Sequence, residues 1–278
     1  MLSACIAWLS LSSAVVADLP WSRLDAVFPA GAKAGASVQV RLTGSVLEQA
    51  KSLRFSHPGM TATRVEGSPA AENVFEVRVP EDVPAGLYDV AAWGDLGLSN
   101  VRTFAVGARN ELTETEPNDT PGNATTVAVG RTINGRIGKA TDVDSYSFRA
   151  AAGQKLIVDC LATRIDSPLL PVLEIVDSRG RRVAFARSGR EDDASLVFEP
   201  TVEADYTLRV YDQTYRGGDD FVYRLELHAD SHVVAVQPVV GKAGTTSAVQ
   251  VLGFNLPMGQ PSDLRWGRWP LMLSLIHI

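Results

Sequence analysis

The chain has 278 residues, with 26 lysines and arginines against 32 aspartates and glutamates, for a formal net charge of −6. Its 45% hydrophobic and 21% charged content is that of ordinary globular domains, and the length holds two or three of them. The acidic balance argues against non-specific binding to nucleic acid or to anionic membrane, because both attract basic surfaces.

Residues 1–17, MLSACIAWLSLSSAVVA, carry an apolar stretch from Leu2 to Val16 and small residues before Asp18. They read as a secretory signal peptide, too short for a comfortable membrane span. The expected location is therefore secreted or cell envelope. No basic residue precedes the apolar stretch, a pattern consistent with Met1 being an internal start. Cleavage after Ala17 removes Cys5 and leaves Cys160 without a disulfide partner. In KLIVDCLA it reads as a buried small hydrophobe.

Residues 19–107 alternate with the period of strands. Val38, Val40 and Leu42 share one face, as do Phe75, Val77 and Val79. Many short strands between Gly and Pro turns, with no amphipathic helix, predict an all-β sandwich. The blocks FPAGAKAGASVQVRLTG and VRVPEDVPAGLYDVAAW, with a closing FAVG, resemble a bacterial immunoglobulin-like domain of the IPT/TIG type.

Residues 110–229 alternate likewise, through Tyr146 and Phe148, Leu156 and Val158, Tyr206 and Leu208, and Tyr223 and Leu225. A second sandwich, of jelly-roll type, is expected. Its opening, ELTETEPNDTPGNATTV, gathers Glu111, Glu114, Glu116, Asn118 and Asp119 before Pro121-Gly122. In an extended segment Glu114, Glu116 and Asn118 face one way, with Asp119 at the bend. Asp142 and Asp144 in ATDVDSY form a second donor group. Ca²⁺ takes roughly six to eight oxygens from carboxylates, amides and carbonyls, and this set offers them. The alternative is a solvated linker with Asx turns at Asn118 and Asn123. The glycine and glutamate spacing of an EF-hand is absent.

The blocks ETEPNDTPGNAT, DVDSYSF, LEIVDSRGRRVA and ADYTLRVYD resemble a bacterial pre-peptidase C-terminal domain over nearly the whole segment. That resemblance implies a β-sandwich accessory module of an exported enzyme. In its collagen-binding relatives the matching Glu-x-Glu-x-Asn-Asp run and a later aspartate hold Ca²⁺. The implied ligands here are Glu114, Glu116, Asn118 and Asp119, with Asp142 and Asp144. Glu111 has no counterpart. A position between two immunoglobulin-like units departs from the usual C-terminal appendage.

Two further stretches stand out. SRGRRVAFARSGR is a local basic run, read as a solvated hairpin. RVYDQTYRGGDDFVYRL offers Tyr211, Tyr215 and Arg216, residue types enriched at binding hot spots, for an extracellular polymer or protein surface.

Residues 231–256, within a unit expected over 231–270, repeat the opening of the first segment, with Pro238, Gly241 and Gly244 before a strand ending at Gly253. GASVQVRLTG lies over TSAVQVLGFNL. Such a repeat marks an array, here with a truncated second immunoglobulin-like unit. Residues 271–278, LMLSLIHI, turn abruptly apolar and read as an artefactual tail. A genuine tail is expected to expose Leu271, Leu273, Leu275 and Ile276.

No Gly-x-Ser-x-Gly, His-Glu-x-x-His or Cys-x-x-Cys pattern is present, and Asp219-Asp220 reads as a turn. Two classes remain. One is a non-catalytic, Ca²⁺-stabilised binding or display module. The other is a fragment of a secreted peptidase whose catalytic residues lie outside this chain.

Overall fold

The alternating pattern is realised as strands from end to end. The computed structural model describes residues 20–67, 72–189 and 192–277, so the signal peptide and Cys5 lie outside the described residues. The first unit contains β1 (Arg23–Phe28), β2 (Gly31–Lys33), β3 (Ser37–Ser45), β4 (Ala50–Phe55), β5 (Thr61–Arg64), β6 (Val74–Arg78), β7 (Gly86–Gly94), β8 (Gly97–Leu98) and β9 (Arg102–Gly107). They form two sheets, β1-β3-β6-β5 and β2-β9-β7-β4, with β8 added on β7. Val40, Leu42, Phe75 and Val77 point inward between the sheets, as their period-two spacing requires.

The second unit comprises β10 (Asn110–Thr113), β11 (Thr125–Thr126), β12 (Arg131–Arg136), β13 (Asp144–Ala150), β14 (Leu156–Leu161), β15 (Pro171–Val176), β16 (Arg182–Arg187), β17 (Ser195–Phe198), β18 (Ala204–Asp212) and β19 (Val222–His228). Its sheets are β10-β12-β19-β14-β17 and β11-β13-β18-β15-β16. Phe148, Phe198 and Tyr206 meet at centroid distances of 4.9–6.5 Å at one end of the core. Each such side chain contributes about 1.5–3 kcal/mol by leaving water. Cys160 is fully buried in this core, and burial pushes its thiol pKa up, which disfavours a thiolate nucleophile. Asp219, of the Asp219-Asp220 turn, pairs with Arg136 at 2.9 Å.

The third unit is a single sheet, β20-β21-β23-β22, from β20 (His232–Gln237), β21 (Ala248–Phe254), β22 (Gln260–Trp266) and β23 (Trp269–His277). Its opening hairpin copies β1–β3. Leu24 pairs with Gly44 and Val233 with Gly253, and a bulge follows each pair. Ser22 Oγ donates to the Val46 carbonyl and Ser231 Oγ to the Asn255 carbonyl, with both acceptor residues at positive φ. This register corrects the overlay of the two Val-Gln-Val runs, which is two residues out of step. A two-residue slip keeps every side chain on its face, so alternation could not expose it. The segment 271–278 is not an unpaired tail as far as His277: β23 runs through it and pairs with β21. Leu271 is buried beside Phe254, contrary to the expected exposure, whereas Leu275 and Ile276 are exposed.

The first two units meet at a buried ion pair. Arg224, on β19, is only 2% exposed and donates to both carboxylate oxygens of Glu111 at 2.7 and 2.9 Å. Asn134 completes the group, accepting from Arg224 at 2.8 Å and donating to Glu111 at 2.9 Å. The backbone of Gly31 lies directly on the guanidinium, where a Cβ would stand 2.5 Å from Arg224 Nη1. Ala26, Ala30 and Ala105 pack against Ile165 and Val222 around it. Glu111 therefore belongs to this joint.

Candidate metal centre

Residues 114–124 cross from one sheet of the middle sandwich to the other. β10 ends parallel to β12 in the first sheet, and β11 lies parallel to β13 in the second. The loop from β12 to β13 makes the same crossing and delivers Asp142 and Asp144. Two acidic stretches distant in sequence thus meet at one edge of the core.

Glu114 points inward. Its Oε1 accepts from the Arg136 backbone N–H at 2.6 Å and its Oε2 from the Tyr146 hydroxyl at 3.0 Å. Asp144 is fully buried and its Oδ2 accepts from the Tyr223 hydroxyl at 2.5 Å. The two tyrosine oxygens lie 2.6 Å apart. Gly135, opposite Tyr223 in the ladder, makes this possible: a Cβ there would sit 2.2 Å from the Tyr223 ring. Glu116 accepts from the Asn118 N–H at 2.9 Å, and Asp142 from the Gly138 N–H at 2.7 Å. Oxygens of Glu114, Glu116 and Asp144 lie within 4.8 Å of one another.

The unsatisfied atoms are the decisive feature. Asn118 is fully buried, yet neither its Oδ1 nor its Nδ2 has a hydrogen-bond partner. One buried oxygen each of Asp119, Asp142 and Asp144 is also unpartnered. Leaving a buried polar atom unpaired costs about 1–3 kcal/mol, so each of these four oxygens calls for a partner. No ion pair among the described residues involves Glu114, Glu116, Asp119, Asp142 or Asp144. Burial is the main cause that raises the carboxyl of Glu114 to about 7 and that of Asp144 to about 10, and it raises Asp142 too. Neighbouring carboxylates add to each shift, with Glu114 acting on Asp144 and Asp119 on Asp142.

Of the six residues singled out in the sequence, Glu114, Glu116 and Asp144 are brought within reach of one another, and Asp119 lies beside Asp142. Tyr146 and Tyr223, which alternation marks only as core, are the additional members. Their signal was the polar tip, which needs a partner when buried. Asn123 does not make the expected Asx turn: its Oδ1 instead accepts from the N–H of Thr120, three residues earlier, at 2.8 Å. Tyr211 and Tyr215 stack at 5.5 Å with nearly parallel rings, and Tyr215 is 52% exposed. Arg216 instead folds back, its guanidinium 5.3 Å above the Phe221 ring and bonded to the Pro168 carbonyl. The Tyr215 loop lies on the Asp142 loop, with Thr141 N donating to the Tyr215 carbonyl at 3.0 Å.

No family model matches the chain, and no curated protein matches it. Among solved structures it is similar to the pre-peptidase C-terminal domain of a collagenase from Bacillus anthracis. That match has 16% identity and a TM-score of 0.32, covering 41% of this chain and 99% of that one. A second is SGBP-B of a mixed-linkage glucan utilization locus of Bacteroides ovatus, in complex with a heptasaccharide. It has 10% identity, covers 76% of each chain and has a TM-score of 0.26. A third is the secreted serine protease VesC from Vibrio cholerae, with 12% identity and a TM-score of 0.27, covering 71% of this chain and 47% of that one. The β-sandwich fold is established by the strand pairing itself. No helix among the described residues is long and apolar enough to cross a membrane.

Proposed function

We propose that the chain is an exported, non-catalytic accessory module whose middle sandwich is stabilised by Ca²⁺. The carrying observation is the group of unpartnered buried oxygens on Asn118, Asp119, Asp142 and Asp144. The donor set is all oxygen, with carboxylates and an amide and neither thiolate nor imidazole, which suits a hard cation. Glu114, Glu116, Asn118, Asp119, Asp142 and Asp144 would hold it. The cation would compensate their buried charge and tie the crossing segment to the core.

In this reading Tyr211 and Tyr215, with Arg216 behind them, face an extracellular polymer or protein surface. The third sheet is read as half of a second immunoglobulin-like sandwich. Val233 and Val236 are 53% and 39% exposed, whereas their counterparts Leu24 and Val27 are buried in the first unit.

Thermal unfolding of the full chain tests the proposal. Millimolar Ca²⁺ is expected to raise the midpoint of the parent relative to chelator, and to leave the Asp119→Ala, Asp142→Ala double variant unmoved. Saturation at about 100 times Kd stabilises by about 2.7 kcal/mol. Identical parent curves with and without Ca²⁺ would return the segment to a linker.

A further inference from the structure

Two stretches outside the acidic centre are both basic and aromatic. Residues 179–187 carry four arginines and Phe185 with no acid, and residues 265–269 read RWGRW. The fold brings them to one cleft of about 540 Å³, between β16 and β17 of the middle sandwich and the turn joining β22 to β23. Arg182, Phe185, Trp266, Arg268 and Trp269 line it, and all five precede residue 271. A volume of this size is within the range of ligand sites.

The two charges are set on the rings. The Arg182 guanidinium stands 4.8 Å from the Phe185 centroid and that of Arg268 4.8 Å from the Trp269 centroid. Phe185 is 46% exposed. Arg182 reaches an acid, Glu174, only at 3.6 Å, and no ion pair among the described residues involves Arg268. A chain of net charge −6 thus places Arg268, which has no ion pair among the described residues, in one cleft with Phe185, Trp266 and Trp269.

We infer that this cleft binds a carboxylated polysaccharide. A pyranose offers a flat C–H face to an aromatic ring, and its carboxylate offers two oxygens to a guanidinium fork. An acidic peptide in extended form would draw its affinity from backbone pairing at a sheet edge. Here the edge strands β16 and β17 lie against each other, so side chains present the recognition surface. The inference rests on the reading of the chain as a polymer-binding module and gives that module a ligand class and a second surface, distinct from Tyr211 and Tyr215.

The test is calorimetric titration of the full chain with hyaluronan oligosaccharides, neutral cello-oligosaccharides and polyglutamate. The parent binds hyaluronan, and Arg182→Ala with Arg268→Ala weakens binding at least tenfold. Both arginines are exposed, so this variant folds, as its unchanged melting midpoint will show. Trp269→Ala weakens binding similarly and Tyr215→Ala leaves it intact. Equal binding by the double arginine variant overturns the cleft while the module reading stands. Tighter binding of polyglutamate or of the neutral sugar overturns the ligand class. Binding of none of the three overturns the inference, and the Ca²⁺ midpoint then decides the module reading separately.

Discussion

Replacing Arg224 with methionine is expected to destabilise the chain by about 3–5 kcal/mol, the range for breaking a buried ion pair by removing one partner. The methionine fills most of the volume but leaves Glu111 desolvated, with the Asn134 amide as its remaining donor in the group. The double replacement Arg224→Met, Glu111→Leu is expected to recover much of the loss, since no charge is then stranded. One observation makes the site sensitive: the Gly31 backbone lies directly on the guanidinium, which is only 2% exposed. Urea unfolding of the two variants measures the effect. A single variant within about 0.5 kcal/mol of the parent, the range of a surface substitution, would show that the joint is solvated.

The second large effect is a loss of stability with rising pH in the metal-free chain. The sign follows from Asp144, whose carboxyl is raised by burial and by Glu114 from 3.8 to about 10. The unfolded chain gives up this proton near pH 4, while the fold retains it. Stability from this group is therefore complete below the unfolded value and is lost as pH rises toward the folded one. His228, whose pKa burial lowers from 6.5 to about 4, acts oppositely: its stability is present above pH 6.5 and lost as pH falls through 4. The two oppose each other below pH 6.5. Between pH 6.5 and 8.5 the carboxyl acts without that opposition, at about 1.4 kcal/mol per unit, or on the order of 3 kcal/mol across the window. If the site holds Ca²⁺ as proposed, the cation takes the place of the proton and the decline is abolished. Midpoints of the metal-stripped chain across this window, with and without Ca²⁺, measure it. A flat metal-free profile would contradict the burial of an uncompensated acid.

The strands were legible because each sandwich buries one face of every strand, and the period of two survives in Val38, Val40 and Leu42 or Tyr206, Leu208 and Val210. The acidic segment was legible because Glu114, Glu116, Asn118 and Asp119 crowd into one short crossing segment. What could not be read was pairing over long separations. Glu111 looks like one more donor in that run, and only the fold shows that Arg224, 113 residues on, claims it. Tyr146 and Tyr223 fit the core pattern so well that the use of their hydroxyls was hidden. The repeat was visible, but its register was not, because Val-Gln-Val recurs on equivalent faces two residues apart. In 271–277 the apolar residues read as unpatterned until β21 supplied a ladder for them.

Direct titration of the metal-stripped chain with Ca²⁺ at pH 7.5, by calorimetry in two buffers of different ionisation heat, tests the central claim most closely. Saturable binding is predicted, with proton release that vanishes, together with the binding, in Asp144→Asn. No saturable heat in either buffer at millimolar Ca²⁺ would contradict the account and leave the buried oxygens of Asn118, Asp119, Asp142 and Asp144 to protons alone.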